Sequence, residues 1–408
     1  MSRSSCAATI DLACAAAHRA AMLSAFDTTL AERFRTELPG LSLRPTTPAD
    51  VEEPRGRWHG QEGFVVAPRT AEDVARVVRF ANEARFGILP YGGGTGLVAG
   101  QVATDGPAPL ILSLKNMAAI RAVYAEEMSI IAEAGCALEV VHHAAADAGL
   151  LFPLNYASKG TATIGAGLAV NSGGLNVLRY GMARELCLGV EAVLPDGSIL
   201  HGLKRLRKDN TGYDLRHLLI GAEGTLGIIT AAVLRLAPRP AHEATGCLTV
   251  ESPAAAVSLL SMLRGIAGES ISAFELISGV GLEFLTDTHP DTRQPFNAPP
   301  AWSVLIDLGT QADSDPQAAL EALFAEAHDA GLVSDGVIAS SGLQAAELWH
   351  VREMIPEANR AVGAIVSHDI SLPLSELPNF IDAADKAIAA QEPAIRINCF
   401  GHLGDGNL

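Results

Sequence analysis

The stretch that decides the fold is residues 91–100, YGGGTGLVAG. Successive glycines let backbone N–H groups point into one concavity, which is how a loop holds a phosphate or pyrophosphate without charged side chains. A β-α-β pattern precedes the loop: an apolar strand at residues 63–68, a helix opened by Thr70, and a second short strand, FGILP. The sequence therefore predicts a ligand-binding glycine loop within an α/β region.

Two well-known nucleotide loops must be weighed against this stretch. A P-loop is excluded because no Gly-Lys-Ser/Thr follows the glycines. Gly94, Gly96 and Ala99 satisfy G-x-G-x-x-A, but the chain then runs GQVATDGPAP, which opens no helix, and no acidic residue stands at the ribose-binding distance. A Rossmann nicotinamide site is therefore disfavoured, and it stays an alternative together with a plain turn.

Two further segments have the same glycine-rich character. Residues 153–174, PLNYASKGTATIGAGLAVNSGG, contain Ile164, Leu168 and Val170 and are too apolar for a flexible linker. Small residues alternate there with buried ones, which indicates backbone packed closely along an extended flat ligand. In residues 221–230, GAEGTLGIIT, two glycines flank Thr225 before a β-rich run. Three glycine loops in one domain point to one long ligand.

Composition bounds the class of protein. A chain of 408 residues predicts two domains or slightly more, and the net charge of −17 argues against nucleic acid as a partner. Six cysteines without CxxC spacing indicate neither a disulfide framework nor a cysteine metal site, so a reducing, cytoplasmic compartment is predicted. The longest uncharged run, residues 160–178, contains many glycines and two asparagines, and we expect no transmembrane segment.

The segment APRPAHEA, around Pro238 and Pro240, is the predicted domain boundary because paired prolines end regular structure. Beyond it, predicted helices alternate with predicted strands at residues 302–308, 336–340 and 395–400, which indicates an α+β domain on an antiparallel sheet. The predicted domains are an N-terminal helical leader (1–45), a cofactor domain (46–240) and a substrate domain (241–408). Asp11 interrupts the alanine-rich leader, which favours a disordered tail or a helix over a targeting peptide.

Two residues of the second domain are candidates for chemistry. His402 lies in the final stretch CFGHLGDGNL, where glycines after a strand can hold a side chain rigidly towards a pocket. A surface turn with a chance histidine is the alternative. Arg352 lies on a predicted helix, WHVREMIPEA, where an arginine is usually a solvated charge. The residues alone leave both questions open.

In combination, these motifs resemble a known family. GGGTGL, then TATIGAGLAVNSGG, then Tyr213-Asp214 followed by GAEGTLGIIT resemble the FAD-binding domain of the vanillyl-alcohol oxidase (PCMH-type) superfamily. With GHLGDGNL, the chain from residue 62 to 408 is similar more narrowly to the D-lactate and D-2-hydroxyglutarate dehydrogenases. The resemblance implies an α+β fold, with a PCMH-type FAD-binding domain of two α/β subdomains before an α+β substrate (cap) domain with an antiparallel sheet.

The resemblance also implies how the cofactor is bound. Members that attach the flavin covalently through this loop carry a histidine where Thr95 stands, so noncovalent FAD is implied. The first glycine loop would wrap the pyrophosphate, the second segment would line the flavin and ribityl chain, and the third would complete the adenine and isoalloxazine side. The residues it implies for cofactor binding are Gly92, Gly93, Gly94, Thr95, Gly96, Thr163, Ile164, Gly165, Gly167, Asn171, Ser172, Gly173, Gly174, Glu223, Gly224, Thr225, Gly227 and Ile229.

At the substrate end, the resemblance gives roles to Arg352 and His402. Arg352 falls at the family's carboxylate-binding arginine, and a guanidinium fork suits a carboxylate. His402 falls at the first histidine of the metal-binding motif G-H-x-G-D-G-N-x-H, with zinc as the expected divalent metal and with Asp405 and Asn407 shaping the loop. The family's second metal histidine would follow Leu408, so we expect a C-terminally truncated fragment.

The predicted function is FAD-dependent oxidation of a small D-2-hydroxy acid of the D-lactate, D-2-hydroxyglutarate or glycolate type, by hydride transfer to flavin N5. Pro356 replaces a threonine and Ser367 a lysine that hydroxyglutarate-type members tend to carry, which favours a monocarboxylate at least as much as hydroxyglutarate; His368 is a possible substitute. Predicted partners are an electron acceptor (an electron-transfer flavoprotein, quinone or iron-sulfur subunit) and a second copy in a homodimer. The alternatives are a non-catalytic flavin-binding subunit of an electron-transfer complex such as glycolate oxidase, a nicotinamide dehydrogenase and an oxygen-consuming oxidase.

Overall fold

The structure is a computed structural model that describes residues 23–311 and 313–408. Contacts divide it into two compact units. The first unit comprises the described residues up to Ser172 together with Met182–Pro238. The second unit comprises Gly173–Gly181 and Arg239–Leu408. The alanine-rich part of the predicted leader, with Asp11, lies outside the described residues. The predicted domain limits 1–45, 46–240 and 241–408 stay predictions.

A small, mostly parallel sheet opens the first unit, in the order β1-β2-β4-β3, with β4 parallel to both β2 and β3. The predicted β-α-β start is confirmed: the hydroxyl of Thr70 accepts a hydrogen bond from the Asp73 N–H at 3.1 Å and caps the helix between β2 and β3. The elements are α1 (Thr28–Glu37), β1 (Leu43–Pro45), α2 (Pro48–Val51), β2 (Phe64–Val66), α3 (Ala71–Ala84), β3 (Ile88–Tyr91) and β4 (Leu110–Ser113).

A second, antiparallel sheet completes this unit in the order β5-β6-β10-β8-β9, and β11 pairs with β7. The predicted hairpin with Pro-Asp-Gly at its turn is confirmed as β8–β9. The elements are β5 (Ile120–Tyr124), β6 (Ser129–Glu133), α4 (Leu138–Asp147), β7 (Leu150–Leu151), α5 (Ile164–Ala169), α6 (Val177–Tyr180, in the second unit), β8 (Cys187–Val193), β9 (Ile199–Gly202), α7 (Leu215–Leu219), β10 (Ile228–Arg235) and β11 (Ala237–Pro238).

The core of the first unit forms around the parallel sheet. Helix α3 buries Val74, Val77 and Ala81 at helical spacing. Phe34 of α1 is fully buried against Phe26, with ring centroids 6.0 Å apart in an edge-to-face arrangement that aromatic pairs prefer. The described end of the predicted leader therefore contributes to the core of this unit.

The second unit is a five-stranded sheet in the order β15-β12-β14-β13-β16, and all of its strand pairs are antiparallel. One core cluster packs α8, α10 and α12 against the sheet, and another packs α9 and α11. This confirms the predicted α+β class and antiparallel sheet. The elements are β12 (His242–Val250), α8 (Pro253–Ala267), β13 (Ile271–Ser278), α9 (Gly279–Thr288), β14 (Trp302–Thr310), α10 (Pro316–Asp329), β15 (Val333–Ile338), α11 (Gly342–Ala361), α12 (Leu377–Gln391) and β16 (Phe400–Gly401).

The predicted strand at residues 395–400 is wrong in length. Only Phe400 and Gly401 pair, with Ile277 and Leu276 of β13. The strands are antiparallel and β13 ends at Ser278, so residues before Cys399 run past the end of β13 and have no strand to pair with. The short strand β16 places His402 directly after the end of the sheet. Among residues 23–311 and 313–408, no helix is both long and apolar enough to cross a membrane.

Candidate active site

The first glycine loop packs its backbone against the start of α5. A Cβ on Gly92 would lie 2.6 Å from Thr163 Oγ1 and 2.6 Å from Ala166 Cβ, and one on Gly93 would lie 2.0 Å from the carbonyl oxygen of Thr161. Such distances are far inside van der Waals contact, so any side chain would force the loop away from the helix. Glycine is required at these two positions for close packing of the backbone.

The third glycine segment contacts the same helix from its other end. The Gly221 N–H donates to the carbonyl of Leu168 at 3.0 Å, and the Glu223 N–H donates to the carbonyl of Ala169 at 2.9 Å. A Cβ on Gly224 would lie 2.9 Å from Pro90 Cγ, at the base of the first loop. The structure therefore brings together three segments that are separate in the sequence, of which the first and the third lie more than 100 residues apart.

Backbone strain concentrates in the same place. Of five described non-glycine residues with positive φ, three lie in or beside these segments: Ala99 (φ 61°), Asn171 (φ 49°) and Glu223 (φ 51°). Each such conformation costs on the order of 1–3 kcal/mol and persists only where the surroundings enforce it. Asn171 is held because its Oδ1 accepts a hydrogen bond from the Arg184 N–H at 3.0 Å. Such clustering is typical of ligand-binding segments.

Two features of this cluster fit a large cofactor such as FAD. Thr163 is buried at the N-cap of α5, yet its hydroxyl has no hydrogen-bond partner among the described residues. An unsatisfied buried hydroxyl is costly, and a polar group of a ligand would satisfy it. In addition, Val98 of the first loop is 88% exposed, and Val170 and Leu226 of the other two segments are also exposed. Apolar side chains around a polar cradle suit a ligand with both an aromatic ring and phosphates.

The other predicted cofactor residues have varied surroundings. Ile164 and Ile229 are buried in the core, and the Thr225 hydroxyl donates to the carbonyl of Ala222 at 2.6 Å. Gly173 and Gly174 belong to the segment that clusters with the second unit. The cofactor roles of all these residues, including Thr95, Gly96, Gly165, Gly167, Ser172 and Gly227, stay predictions.

The second unit places Arg352 and His402 on one carboxylate. Glu275, in β13, is 1% exposed; its Oε2 accepts from Arg352 Nε at 2.8 Å and its Oε1 accepts from His402 Nδ1 at 2.5 Å. The guanidinium of Arg352 also stacks over the ring of Phe400, 4.8 Å from its centroid. Three residues from β13, α11 and the turn after β16 thus form one buried cluster.

Charge assists the two hydrogen bonds that Glu275 accepts in this cluster. Burial opposes ionisation of Glu275, but the hydrogen bond from His402 and the charge of Arg352 outweigh it and hold the pKa of Glu275 below its usual range. Burial likewise opposes protonation of His402, but the hydrogen bond and charge of Glu275 outweigh it and raise the pKa of His402. Glu275 is therefore an ionised acceptor, and His402 Nδ1 is a donor.

The bonds to Glu275 leave specific atoms unused. The terminal amino groups of Arg352 make no hydrogen bond to the described residues, and neither does His402 Nε2. Arg352 is nevertheless buried, with only 10% of its side chain exposed, whereas His402 keeps 26% exposed. Two amino groups that are free to donate in parallel have the geometry that suits a carboxylate.

The turn that carries His402 is itself well fixed. Asn407 donates from Nδ2 to Asp369 Oδ1 at 2.6 Å and to the carbonyl of Ile370 at 2.9 Å, and its N–H donates to Asp405 Oδ1 at 3.1 Å. Burial raises the pKa of Asp405. These bonds hold the turn that carries His402 in place, and the functional role of His402 stays a prediction.

Sequence reasoning missed Glu275, although a signal was present. It is the only charged residue in the strand ISAFELIS, every residue of which is buried. A carboxylate in such a strand must find cationic or hydrogen-bonding partners in the fold, which marks it as a candidate for a role in a site.

The described residues do not fit the expected metal site. Among residues 23–311 and 313–408, no group of three histidine, cysteine or acidic side chains could hold a metal ion together. A zinc site needs three or four convergent ligands, and here the carboxylate nearest to His402 is already bonded to Arg352. The prediction of a divalent metal is unsupported, and we derive no step through one.

Comparison with known proteins supports a flavoprotein. Residues 63–202 match the family "FAD binding domain", and residues 239–408 match "FAD linked oxidases, C-terminal domain". A D-2-hydroxyglutarate dehydrogenase of Xanthomonas citri pv. viticola is 36% identical over 375 residues, which cover 91% of this chain and 78% of the relative. The mitochondrial D-2-hydroxyglutarate dehydrogenase of Bos taurus is 35% identical, over 89% of this chain and 66% of the relative. The chain thus spans about two thirds of the length of the bovine protein.

A solved structure shares the fold. An alkyldihydroxyacetonephosphate synthase is superimposable with a TM-score of 0.70 at 18% identity, over 90% of this chain and 71% of the other. At this identity the likeness concerns the fold alone. It agrees with a mixed α+β architecture that combines an FAD-binding domain with a C-terminal oxidase domain.

Proposed function

Because this chain belongs to the family of D-2-hydroxyglutarate dehydrogenases among the FAD-linked oxidases, we propose that it oxidises a small D-2-hydroxy acid to the 2-keto acid. The resemblance seen in the sequence motifs is thereby confirmed at the level of the family. FAD, when bound, accepts the hydride from the substrate Cα at its N5 atom. The protein must bind the substrate, orient the Cα–H bond and take the hydroxyl proton.

Arg352 carries the proposal. Glu275 accepts only its Nε–H, so both terminal amino groups are left to bind the substrate carboxylate as a fork. The buried position strengthens such a charge-assisted bond and orders the arginine before the substrate arrives. The same arginine would fix the distance and direction of the substrate Cα.

His402 is proposed to act at the 2-hydroxyl group. Its Nδ1–H is bonded to Glu275, which leaves the lone pair of Nε2 in the neutral ring to accept a hydrogen bond from the hydroxyl and hold its proton as hydride leaves. Arg352 and His402 share one carboxylate, so their free atoms address neighbouring groups of one substrate. A carboxylate and an adjacent hydroxyl have this arrangement in every 2-hydroxy acid.

For the length of the substrate, we propose a monocarboxylate alongside 2-hydroxyglutarate. Pro356 lies one turn after Arg352 on α11 and has no N–H or side-chain donor to offer to a second carboxylate. Ser367 and His368 are exposed, in a segment without helix or strand. D-lactate or glycolate needs no partner at that end, whereas 2-hydroxyglutarate requires one.

Turnover would require an electron acceptor, and an electron-transfer flavoprotein, quinone or iron-sulfur subunit is the one that we propose. A homodimer is likewise a proposal. The cytoplasmic location stays a prediction, since the bovine relative is named as mitochondrial.

The experiment that tests the function is an anaerobic visible spectrum of the purified protein, taken before and after addition of D-lactate, D-2-hydroxyglutarate or glycolate in turn. Bleaching of the flavin bands by one acid is expected, and it identifies the substrate class. A yellow protein that no 2-hydroxy acid bleaches would favour the non-catalytic flavin-binding subunit. A protein that FAD cannot turn yellow would overturn the flavin proposal altogether.

Replacement of the arginine tests the proposed carboxylate site. We expect Arg352→Ala to raise KM and lower kcat together, by about 10²-fold or more in kcat/KM, because the substrate loses both an anchor and its orientation. FAD content should be unchanged. The matched control is Arg360→Ala on the same helix, where the arginine is exposed and paired with Glu357. Unchanged kinetics in Arg352→Ala would refute the assignment.

A further inference from the structure

Tyr156 lies in the second glycine-rich segment, but it is not among the residues that the family resemblance implies for cofactor binding. Its carbonyl accepts from the Lys159 N–H at 3.1 Å in the turn before α5, and its side chain is half-buried. The hydroxyl oxygen of Tyr156 lies 3.2 Å from the place that a Cβ on Gly167 would take. Gly167 lies one turn into α5, so the phenol faces this helix at a position without a side chain.

The hydroxyl of Ser172 faces the same position of α5. Ser172 Oγ lies 3.1 Å from the place of a Cβ on Gly167, and the Ser172 N–H donates to the carbonyl of Gly167 at 2.8 Å. Asn171 comes directly before it with a φ of 49°, a conformation that persists only where the surroundings enforce it. The strained turn therefore directs Ser172 back onto the helix.

Two hydroxyls on this part of α5 have no partner. Thr163 is 7% exposed, and its Oγ1, like Ser172 Oγ, is buried and makes no hydrogen bond among the described residues. Thr163 and Gly167 are one turn apart and are joined by the bond from the Gly167 N–H to the Thr163 carbonyl, at 2.9 Å. Buried hydroxyls without partners cost free energy, and polar atoms of a ligand would remove that cost.

The surroundings of these hydroxyls suit a neutral polar group. Helix α5, IGAGLA, carries no charged residue. Burial raises the pKa of Tyr156, and the nearby Ser172 hydroxyl offsets this in part, with no charged group involved. The phenol is therefore a protonated donor. Hydroxyl donors without a cation are suited to carbonyl oxygens, ring nitrogens and other hydroxyls, whereas a phosphate gains most from a cation or from several backbone N–H groups.

We propose that Tyr156 is a further FAD-binding residue, whose hydroxyl acts with those of Ser172 and Thr163 to bind neutral polar atoms of the ribityl chain and the flavin ring. The pyrophosphate is left to the backbone N–H groups of the first glycine loop. Bound FAD would supply the partners that the buried hydroxyls lack. The inference rests on FAD as the cofactor and does not depend on which acid is oxidised.

Removal of one hydroxyl from the full chain tests the proposal. For Tyr156→Phe we expect the Kd of FAD, from titration of the apoprotein, to rise about 3–10-fold, which is the loss typical of one neutral hydrogen bond. The inhibition constant of ADP as a competitor should change by less than about twofold, because ADP has a pyrophosphate but no flavin. The matched control is Tyr124→Phe on β5, whose ring lies 3.7 Å from the guanidinium of Arg205 and which should keep the wild-type Kd.

Thermal unfolding of the apoprotein separates this role from packing. Tyr156→Phe should leave the apoprotein Tm within about 1 °C of the wild type, because the hydroxyl makes its bond to FAD and not to the protein. A variant with a lowered apoprotein Tm and an FAD Kd within about twofold of the wild type would overturn the proposal. An ADP inhibition constant that rises as much as the Kd of FAD would also overturn it, because the hydroxyl would then act at the other half of the cofactor.

A measurement on the wild type does not depend on the folding of any variant. Hydroxyl-radical footprinting with mass spectrometry compares the apoprotein with the FAD-bound protein. Oxidation of Tyr156 should fall when FAD binds, while that of Tyr124 stays the same. Equal oxidation of Tyr156 in both forms would contradict the inference.

This inference and the proposed function fail in different ways. If the wild type binds FAD and no 2-hydroxy acid reduces it, the proposed function fails, and the Kd values still decide the role of Tyr156. If an acid reduces the flavin and Tyr156→Phe binds FAD as tightly as the wild type, only the role of Tyr156 is lost.

Discussion

At the scale of single residues, two buried carboxyl groups of the second unit have pKa values shifted in opposite directions. Glu275 has two cationic or donating partners and stays ionised, whereas Asp307 on β14 has the Thr245 hydroxyl as a donor, at 2.6 Å, beside the nearby charge of Glu243. Burial is the largest effect on Asp307 and raises its pKa to about 6. The hydrogen bonds from Thr245 and Trp349 and the charge of Arg179 favour the ionised form, but they do not offset burial, so ionisation of Asp307 costs stability.

This difference predicts a pH-dependent gain from Asp307→Asn. Because the folded pKa is raised, the contribution of Asp307 to stability is fully present below its unfolded pKa near 3.8 and is lost as the pH rises through about 6. At pH 7.5 we expect Asp307→Asn to raise the free energy of unfolding by about 2–3 kcal/mol, and at pH 4, close to the unfolded pKa, the difference should fall below about 1 kcal/mol. Urea unfolding at both pH values measures this.

The control for this prediction is Asp329→Asn, since Asp329 has 92% of its side chain exposed. It should leave the unfolding free energy unchanged at both pH values. Equal stability of Asp307→Asn and wild type at pH 7.5 would contradict the prediction.

At the scale of elements, the glycine loop packs closely on α5, and this contact shapes the proposed cofactor cradle. A Cβ on Gly93 would meet the Thr161 carbonyl oxygen at 2.0 Å, and this oxygen is backbone and cannot rotate away. The loop must therefore move as a whole if Gly93 is replaced. The unpartnered hydroxyl of Thr163 lies beside the same contact.

We expect Gly93→Ala to lower the FAD content of the purified protein and to weaken FAD binding by at least tenfold, because the displaced loop no longer forms the cradle. Absorbance at 450 nm per chain and a titration of the apoprotein measure it. Gly265→Ala is the control: Gly265 lies inside α8 with nothing within 4 Å of the added Cβ, so it should keep its FAD and gain about 0.5–1 kcal/mol of stability. Full FAD occupancy in Gly93→Ala would count against the proposed cradle.

Element types were partly readable in the sequence. The periodicity of α3, its start at Thr70 and the turn of the β8–β9 hairpin follow from local residues, so the sequence predicts them. Strands β12 and β13 and helix α9 were missed, because apolar runs of this kind fit a strand or a buried helix equally well. The end of β16 depends on where β13 ends, which no local pattern contains.

At the scale of the whole molecule, the net charge limits the attraction of anions and burial limits the reactivity of the thiols. A chain with a net charge of −17 has no general attraction for an anionic substrate, so binding of such a substrate would need a local cation, the role that we propose for Arg352. The four cysteines of the described residues are free thiols, and burial raises the pKa of Cys136 to about 11 and those of Cys187, Cys247 and Cys399 to about 12.

These raised pKa values predict that the four thiols react slowly with thiol reagents in the native protein. Only the thiolate reacts, and at pH 8 its fraction at these four sites is about 10⁻³ or less. In a Cys6→Ser/Cys14→Ser variant, which removes the two cysteines outside the described residues, we expect a colorimetric thiol reagent to label none of the chain within minutes. All four thiols should react after denaturation. Rapid labelling of one native thiol would show that its surroundings open more readily than the packed structure allows.

The sequence by itself determined the family, the glycine segments and the two candidate residues Arg352 and His402, because these depend on motifs of neighbouring residues and their order. Tertiary structure alone decided that residues 92–96, 161–171 and 221–227 meet around α5, and that Arg352 and His402 share Glu275. The physical reason is distance along the chain. Glu275 lies 77 residues from Arg352 and 127 from His402, and only folding reveals which buried charge pairs with which.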